Sequence, residues 1–425
     1  MAKQDDGKGN DGKGNDRHDR EIPIHDPGAV RGPALASMRR LWVQGNDEFG
    51  RLARSRAADA PVTIYDLDGR PLFYDFDLAD DEGPAGVVRA AASPGIGTPL
   101  VAAHLRPRAW DPDSATKVAR KVVRAEYGAS RITGTELVCY SYPKIGVRVT
   151  FDAPKRKGAQ AIIDVSDGLP VRTLGADEPE GSTAYSYYAE IVRPSLDRRL
   201  RRWAGAEEDA DRLRGAAPKL AEVDEPLEAG DRLRLADALV ADIRDFVVVA
   251  WPLSSTRVIR FGPRCSSHEC FELYAQQTNV YCAVATGQMI LDFYRWYHTQ
   301  DQIAVAMSTG PGGTNNPDQV VGYETLSNGC LDATYDTSAD WAEAKAEIDA
   351  NRPLKSGIPG HARACAGYQR IWTWWGWSWD RYLKIYDPWP WNADICAGGD
   401  IEWEDWDAVT HTNWITVRLR TTNHA

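Results

Sequence analysis

The stretch "YAQQTNVYCAVATGQMILDFY", residues 274–294, decides how this 425-residue chain is read. A polar loop turns into a mostly apolar helix, and a cysteine stands at the turning point. Asn279 or Thr278 can cap that helix, because either side chain accepts from a free N–H. Cys282 then falls in the first turn, where unpaired N–H groups and the helix dipole favour negative charge and draw a thiol toward its reactive thiolate. Beyond it, Val284, Met289, Ile290, Leu291, Phe293 and Trp296 cover most of the helix, and Gln288, Asp292 and Arg295 leave a narrow polar stripe. Such a helix is largely buried. Buried cysteines are common as small core residues, so the stretch alone leaves two readings: filling, or a nucleophile on a rigid support.

A nucleophilic thiolate needs a base. Of the eight histidines, His298 lies about 24 Å further along the same helix at the standard rise. His18 and His25 fall in an N-terminal tail, and His424 is next to the last residue. His361, in "GIPGHARACAGY", follows a Gly/Pro turn and opens a strand of small residues that can pack closely beside a helix. His411, in "AVTHTNWITV", is the reserve. The base needs an orienter: "RYLKIYDPWP" alternates like a strand and ends at Asp387, where the next proline halts the ladder. If that strand pairs with the His361 strand, Asp387 accepts the imidazole N–H and fixes its tautomer. Acyl transfer also needs donors for an oxyanion, and Gln276, six positions before Cys282, offers a side-chain N–H beside the cysteine's own backbone N–H.

Gln276, Cys282 at a helix start, "GHARACAGY" with His361 and "IYDP" with Asp387, in that order, resemble a papain-like cysteine peptidase. The details are similar to bacterial branches related to bacteriocin-leader peptidases and plant-pathogen effector proteases. "QDQIAVAM" after the helix, "ANRPLKSGI" before His361 and "GGDIEWEDW" near the end fit the same pattern, which spans roughly residues 255–410. The resemblance implies Cys282 as nucleophile, His361 as general base and then acid, Asp387 as orienter and Gln276 as oxyanion donor, with a peptide or protein as substrate and no cofactor or metal. The chain departs from the pattern in three ways: Ala283 follows the cysteine where Gly or Trp is usual, Arg363 interrupts the apolar strand, and the stretch between His361 and Asp387 is long and rich in tryptophan.

The totals set the frame. The length suggests two or three domains, and 43% apolar with 26% charged residues is globular. A net charge of −11 argues against a general nucleic-acid binder, which needs a basic surface. No run approaches the roughly 20 apolar residues of a membrane span; "FVVVAWPL" reads as a buried strand. "MAKQDDGKGNDGKGNDRHDR" lacks the apolar core of a signal peptide, and its tandem "DGKGN" favours a disordered tail over residues 1–35. Seven cysteines, an odd number, leave at least one thiol in a single chain. The expected location is therefore cytoplasmic, with a non-classical export route left open; oligomeric state is not legible.

Residues 60–170 read as a small α+β domain: a hairpin about Asp68-Gly69, a helix in "DPDSATKVARKVVRAEYG", then the strands "ELVCYSYP", "GVRVTFD" and "QAIIDVS". In outline it resembles cystatin-like or PepSY-like domains. Residues 175–250 form a charged helical connector whose paired charges are expected to face solvent. Residues 255–425 form the papain-like domain, so the fold class is α+β. Seven tryptophans in "IWTWWGWSWDRYLKIYDPWPW" suit either a packed hairpin or an aromatic cleft wall. "CSSHEC" falls short of a zinc ligand set, and "STGPGGTNNPD" is a loop, not a phosphate cradle. The leading expectation is a peptidase whose N-terminal domain covers the cleft or selects substrates. The rivals are a transpeptidase, amidase or deamidase of the same fold, and a catalytically silent binding module that grips a partner through the tryptophans.

Overall fold

The computed structural model describes residues 22–154, 156–171, 184–222, 225–244, 254–260, 271–373 and 379–420. Its strands are β1 (Arg56–Ala57), β2 (Val62–Tyr65), β3 (Pro71–Asp80), β4 (Gly83–Ala91), β5 (Leu100–His104), β6 (Arg131–Ser141), β7 (Lys144–Ala153), β8 (Arg156–Asp164), β9 (Ser254–Val258), β10 (Leu331–Asp336), β11 (Leu354–Ile358), β12 (His361–Trp372), β13 (Trp379–Asp387), β14 (Asp400–Asp405) and β15 (Asn413–Leu419). The helices are α1 (Pro27–Val43), α2 (Gly50–Ala53), α3 (Pro112–Tyr127), α4 (Leu196–Ala216), α5 (Pro218–Ala221), α6 (Asp231–Arg244), α7 (Cys282–Phe293), α8 (Gln300–Ala306), α9 (Asn316–Leu326) and α10 (Trp341–Asp349).

Strands from both halves run in one sheet, ordered β10, β15, β11, β12, β13, β14, β5, β4, β3, β2, β6, β7, β8, with β1 beside β3 and β9 beside β12. Every pairing is antiparallel except β2 with β6. The seam is β14 with β5, where Glu402 stands opposite His104, Trp403 opposite Ala103 and Glu404 opposite Ala102. Ala102 and Ala103 are small and fully buried, so the edges can meet without a gap. One core extends across the seam, from Leu41 of α1 through Phe73, Val88 and Val101 to Tyr382, Trp389 and Trp403. A second core holds α7 against β12 through Val284, Ile290, Ala364 and Ile385. The third packs Ala119 and Val123 of α3 on Val147, Val149 and Phe151. Helix α3 is built as its sequence dictates: Asp111 accepts from Ser114 N at 2.8 Å, and Gly128 ends it at φ +63°.

Two expectations meet a different arrangement. Residues 27–35, read as tail, are helical, because Val30, Ala34 and Leu35 continue a buried face with Met38 and Leu41. The connector is not a solvated strut. Arg199 of α4 is 2% exposed and donates to Ile96 O (2.7 Å) and Ala408 O (3.0 Å); Arg202 grips Asp405 through both terminal nitrogens; and Asp209 lies 3.4 Å from Arg40. Mixed-charge sequence cannot say which charges face inward, and here several tie the two halves together. Most of the tail, "FVVVAWPL", "CSSHEC", and tryptophans 374, 375 and 377 lie outside the described residues.

Candidate active site

Helix α7 opens at Cys282 itself. Tyr281 is the capping position and makes no side-chain cap bond, while Thr278 Oγ1 accepts from Val280 N at 3.4 Å. The expected Asn279 or Thr278 cap is thus displaced, because a tight turn over 278–281, closed by Tyr281 N to Thr278 O at 3.2 Å, precedes the helix. The consequence for Cys282 stands: its N–H belongs to the first turn, where donors have no intrahelical acceptor. Every residue of α7 except Gln288 and Asp292 is buried. Gln288 and Asp292 are satisfied, the first by Gln300 Nε2 (3.0 Å) and the second by the Tyr274 hydroxyl (2.7 Å). The nucleophile candidate therefore rides on a rigid support.

His361 is placed by a hairpin turn. Ile358 pairs with His361 across Pro359-Gly360, and Gly360 has φ +68°. Proline at the second turn position and a left-handed glycine at the third are what a type II turn requires. Small side chains then admit the helix tip: Cys282, Ala283 and Ala362 form their own buried cluster. Across the sheet, β13 ends at Asp387, whose Oδ1 accepts from His361 Nε2 at 2.8 Å and from Trp389 N at 2.8 Å. The His361 and Asp387 side chains are 0% and 2% exposed. With Nε2 committed to Asp387, His361 Nδ1 makes no hydrogen bond among the described residues, and Cys282 interacts electrostatically with the ring after Asp387.

Burial pushes the Cys282 thiol up, but the His361 imidazole and then the Lys144 ammonium outweigh it and bring the pKa down to about 6. Burial likewise opposes charge on His361, yet Asp387 and Cys282 hold its pKa above the ordinary value. Asp387 is desolvated too, and His361 beside it holds the carboxyl below the usual range. The three shifts favour one state: thiolate, imidazolium, carboxylate.

Arg363 supports this state from behind. It is fully buried, grips Glu404 at 2.6 and 2.9 Å and reaches Glu402 at 3.4 Å. Its interruption of an apolar strand is the positive half of an internal charge pair, and its field also favours ionised Asp387.

Gln276 is buried and fixed by backbone bonds to Pro388 O and from Asn392 N, each 3.0 Å. Its side-chain amide donates to Thr278 O at 2.7 Å, which leaves the second amide N–H for another acceptor. The reserve base is elsewhere: His411 stacks on Trp406 at 4.3 Å, meets Ser356 Oγ at 3.3 Å, and burial with nearby Arg363 depresses its pKa. His298 bonds Leu326 O at 3.0 Å.

Two neighbours escaped sequence reasoning. Lys144, 4% exposed, comes from the β6–β7 hairpin of the N-terminal half and approaches Gly360 O at 3.5 Å. Its only signal was a lysine in the turn "SYPKIG". His104 ends the apolar run "PLVAAH", and its Nδ1 meets Asp400 Oδ2 at 2.6 Å.

Residues 269–407 match the model of the Peptidase_C39-like family, so this region of the chain is similar to cysteine peptidases of that family. Among solved structures, a double glycine motif protease from an AMS/PCAT transporter, in complex with the leader peptide, is 14% identical, with 39% of this chain and 99% of that chain covered at a TM-score of 0.27. The peptidase domain of Streptococcus ComA, a bifunctional ABC transporter of a quorum-sensing pathway, is 13% identical, with 35% and 99% covered at a TM-score of 0.26. UfSP from C. elegans is 11% identical, with 41% and 36% covered at 0.25. No curated protein matches the sequence. Among the described residues no helix is long and apolar enough to cross a membrane.

Proposed function

We propose that the protein is a cysteine peptidase that hydrolyses peptide bonds through Cys282, His361 and Asp387. The observation that carries this reading is the buried Cys282–His361–Asp387 constellation, with the thiol brought down to about 6 beside a charge-favouring imidazole. The family match over residues 269–407 supports it.

In this reading the Cys282 sulfur attacks the substrate carbonyl carbon. Negative charge moves to the carbonyl oxygen, and the Cys282 N–H and the spare Gln276 amide N–H are its donors. His361 Nδ1 gives its proton to the leaving amine as the C–N bond breaks, which leaves a thioester on Cys282. Water then enters; His361 takes its proton, and the thioester is cleaved to a carboxylate and the thiol. Asp387 keeps the ring oriented and stabilises its charge throughout.

The N-terminal half covers the cleft. This role is supported by the Lys144 hairpin against Gly360 and by a Cys282 only 5% exposed. Because both halves share a core, point changes test the role better than truncation.

An epoxide-type thiol inhibitor followed by mapping of the modified residue tests the peptidase reading. Cys282 is expected to react faster than Cys330 and Cys396, although those two are exposed. Labelling that simply follows exposure would remove the thiol enzyme.

A further inference from the structure

Between α1, α4 and β13, on residues outside the Cys282 constellation, lies a cavity of about 300 Å³. That is the size at which small-molecule sites begin. Each helix turns one face to it: Ala36, Ser37 and Arg40 from α1, and Arg198, Arg202, Ala206 and Asp209 from α4. Ala36, Ser37 and Ala206 are small, so the two helices face each other here without closing the space.

The lining also holds an unpaired donor beside an unpaired acceptor. Arg40 donates from Nη2 to Trp372 O (2.9 Å), and its Nη1 lies 3.4 Å from Asp209 Oδ2. Arg40 Nε and Asp209 Oδ1 have no partner among the described residues, although the two residues are only 7% and 6% exposed. A buried polar atom left unpaired is costly. A guanidinium only donates and a carboxylate only accepts, so the pair fits a ligand edge that carries one acceptor and one donor. The other charges are matched or lie at the rim. Arg202 grips Asp405 and reaches Asp380 at 3.4 Å, and Arg381 holds Asp407 at 3.0 Å. Arg198, its side chain 62% exposed, is 3.8 Å from Asp407, and Arg201 is exposed. Five arginines thus meet three lining aspartates and Asp405 behind Arg202, a surplus of one positive charge. Arg198 and Arg201 stand two to three turns of α4 before Asp209, about 12–16 Å away at the standard rise.

We propose that this cavity binds a nucleotide, with the base edge on Arg40 and Asp209 and the phosphates at Arg198 and Arg201. Every base presents a donor next to an acceptor on its pairing edge. Its flat face suits the aromatic wall that Trp379 and Tyr382 of β13 supply, and arginine matches phosphate in charge and geometry. A nucleoside diphosphate has the length to join the two ends. One donor and one acceptor do not discriminate among bases, so the base is what the titration reads. The proposal stands apart from the peptidase reading, since it uses none of that site's residues.

ADP, GDP, CDP and UDP are titrated into the full chain at matched ionic strength, each beside its nucleoside and beside inorganic pyrophosphate. The rise in melting temperature is the readout. At least one diphosphate is expected to stabilise saturably, and its nucleoside and pyrophosphate to bind at least tenfold more weakly; the strongest names the base. Ala206→Leu, which fills the cavity, is expected to weaken that binding at least tenfold. Arg201→Ala, at the exposed rim, should weaken it severalfold and leave the ligand-free melting temperature unchanged, while Arg124→Ala, an equal loss of charge on exposed α3, leaves affinity as it was. Should Ala206→Leu fail to fold, Arg201→Ala against Arg124→Ala decides alone. No response to any diphosphate, pyrophosphate as effective as the diphosphates, or equal affinity in Arg201→Ala and Arg124→Ala overturns the proposal.

Discussion

Two histidine–aspartate pairs occupy neighbouring places in one sheet. His361 holds Asp387 at 2.8 Å, and His104 holds Asp400 at 2.6 Å. The two aspartates stand opposite one another on β13 and β14. Both imidazoles are buried, and both carry a raised pKa for the same reason, a carboxylate at contact. What differs is the company of the second ring nitrogen. His361 follows a type II turn and meets the tip of α7, so a thiol interacts with it; His104 ends β5 and lines a groove. A histidine–carboxylate pair is therefore only a poised charge. The group across from its remaining nitrogen sets the two apart: a thiol interacts with His361, whereas His104 Nε2 has no partner among the described residues.

The comparison breaks first at the sulfur. Cys282→Ala removes the group that sets the two pairs apart, and hydrolysis of a cleaved peptide is expected to fall at least about a thousandfold. The melting temperature should change little, because a small buried side chain is replaced by one nearly its size. Persistent cleavage would mean that His361 differs from His104 in nothing that matters. The aspartates sharpen the contrast. Asp387→Asn forces the wrong tautomer on the His361 ring and is expected to lower kcat by about 10²- to 10⁴-fold. Asp400→Asn, measured with the same peptide, should cost less than about tenfold. Equal losses would make the two pairs functionally alike.

Much of the first pair was readable from sequence, and almost none of the second. Cys282 announced itself by position, at a boundary between polar and apolar residues. The Pro359-Gly360 turn fixed where the His361 strand begins, and Pro388 fixed where the Asp387 strand ends. These are local signals, set by turn chemistry and by the alternation of a strand. His104 and Asp400 are nearly 300 residues apart, and only the pairing of β5 with β14 brings them together. Lys144 was invisible for the same reason, since its charge acts on the thiol from the other half of the sheet. The displaced cap shows a smaller failure: polarity marked the start of α7 correctly in general and wrongly in detail, because the turn before it uses Thr278 for itself.

Arg363 links the pairs. It grips Glu404, reaches Glu402 at 3.4 Å, and Glu402 lies 3.4 Å from His104. Arg363→Met leaves those carboxylates buried without their cation, and removal of one partner from such a pair costs about 3–5 kcal/mol. Urea denaturation should register that loss, and Glu404→Gln in the same chain should recover part of it. An unchanged midpoint would mean that the two pairs are energetically independent.

The smallest effect concerns the hairpin. Because the Cys282 pKa is lowered to about 6, the thiolate is present above that pH and lost as the pH falls through it. His361 has a raised pKa, so its proton is kept until the pH climbs past the ordinary histidine value. The profile of kcat/KM is then a bell, with an acid limb near 6 set by the thiol and an alkaline limb set by the imidazole. Lys144 is the lesser of the two cations that favour the thiolate, after His361. Lys144→Met should therefore move the acid limb toward higher pH by less than about one unit, while Asp400→Asn leaves that limb in place. A limb that ignores Lys144 would show that the N-terminal half covers the site without charging it. A limb that follows Asp400 instead would show that the groove, rather than the hairpin, is what the thiol feels across the seam.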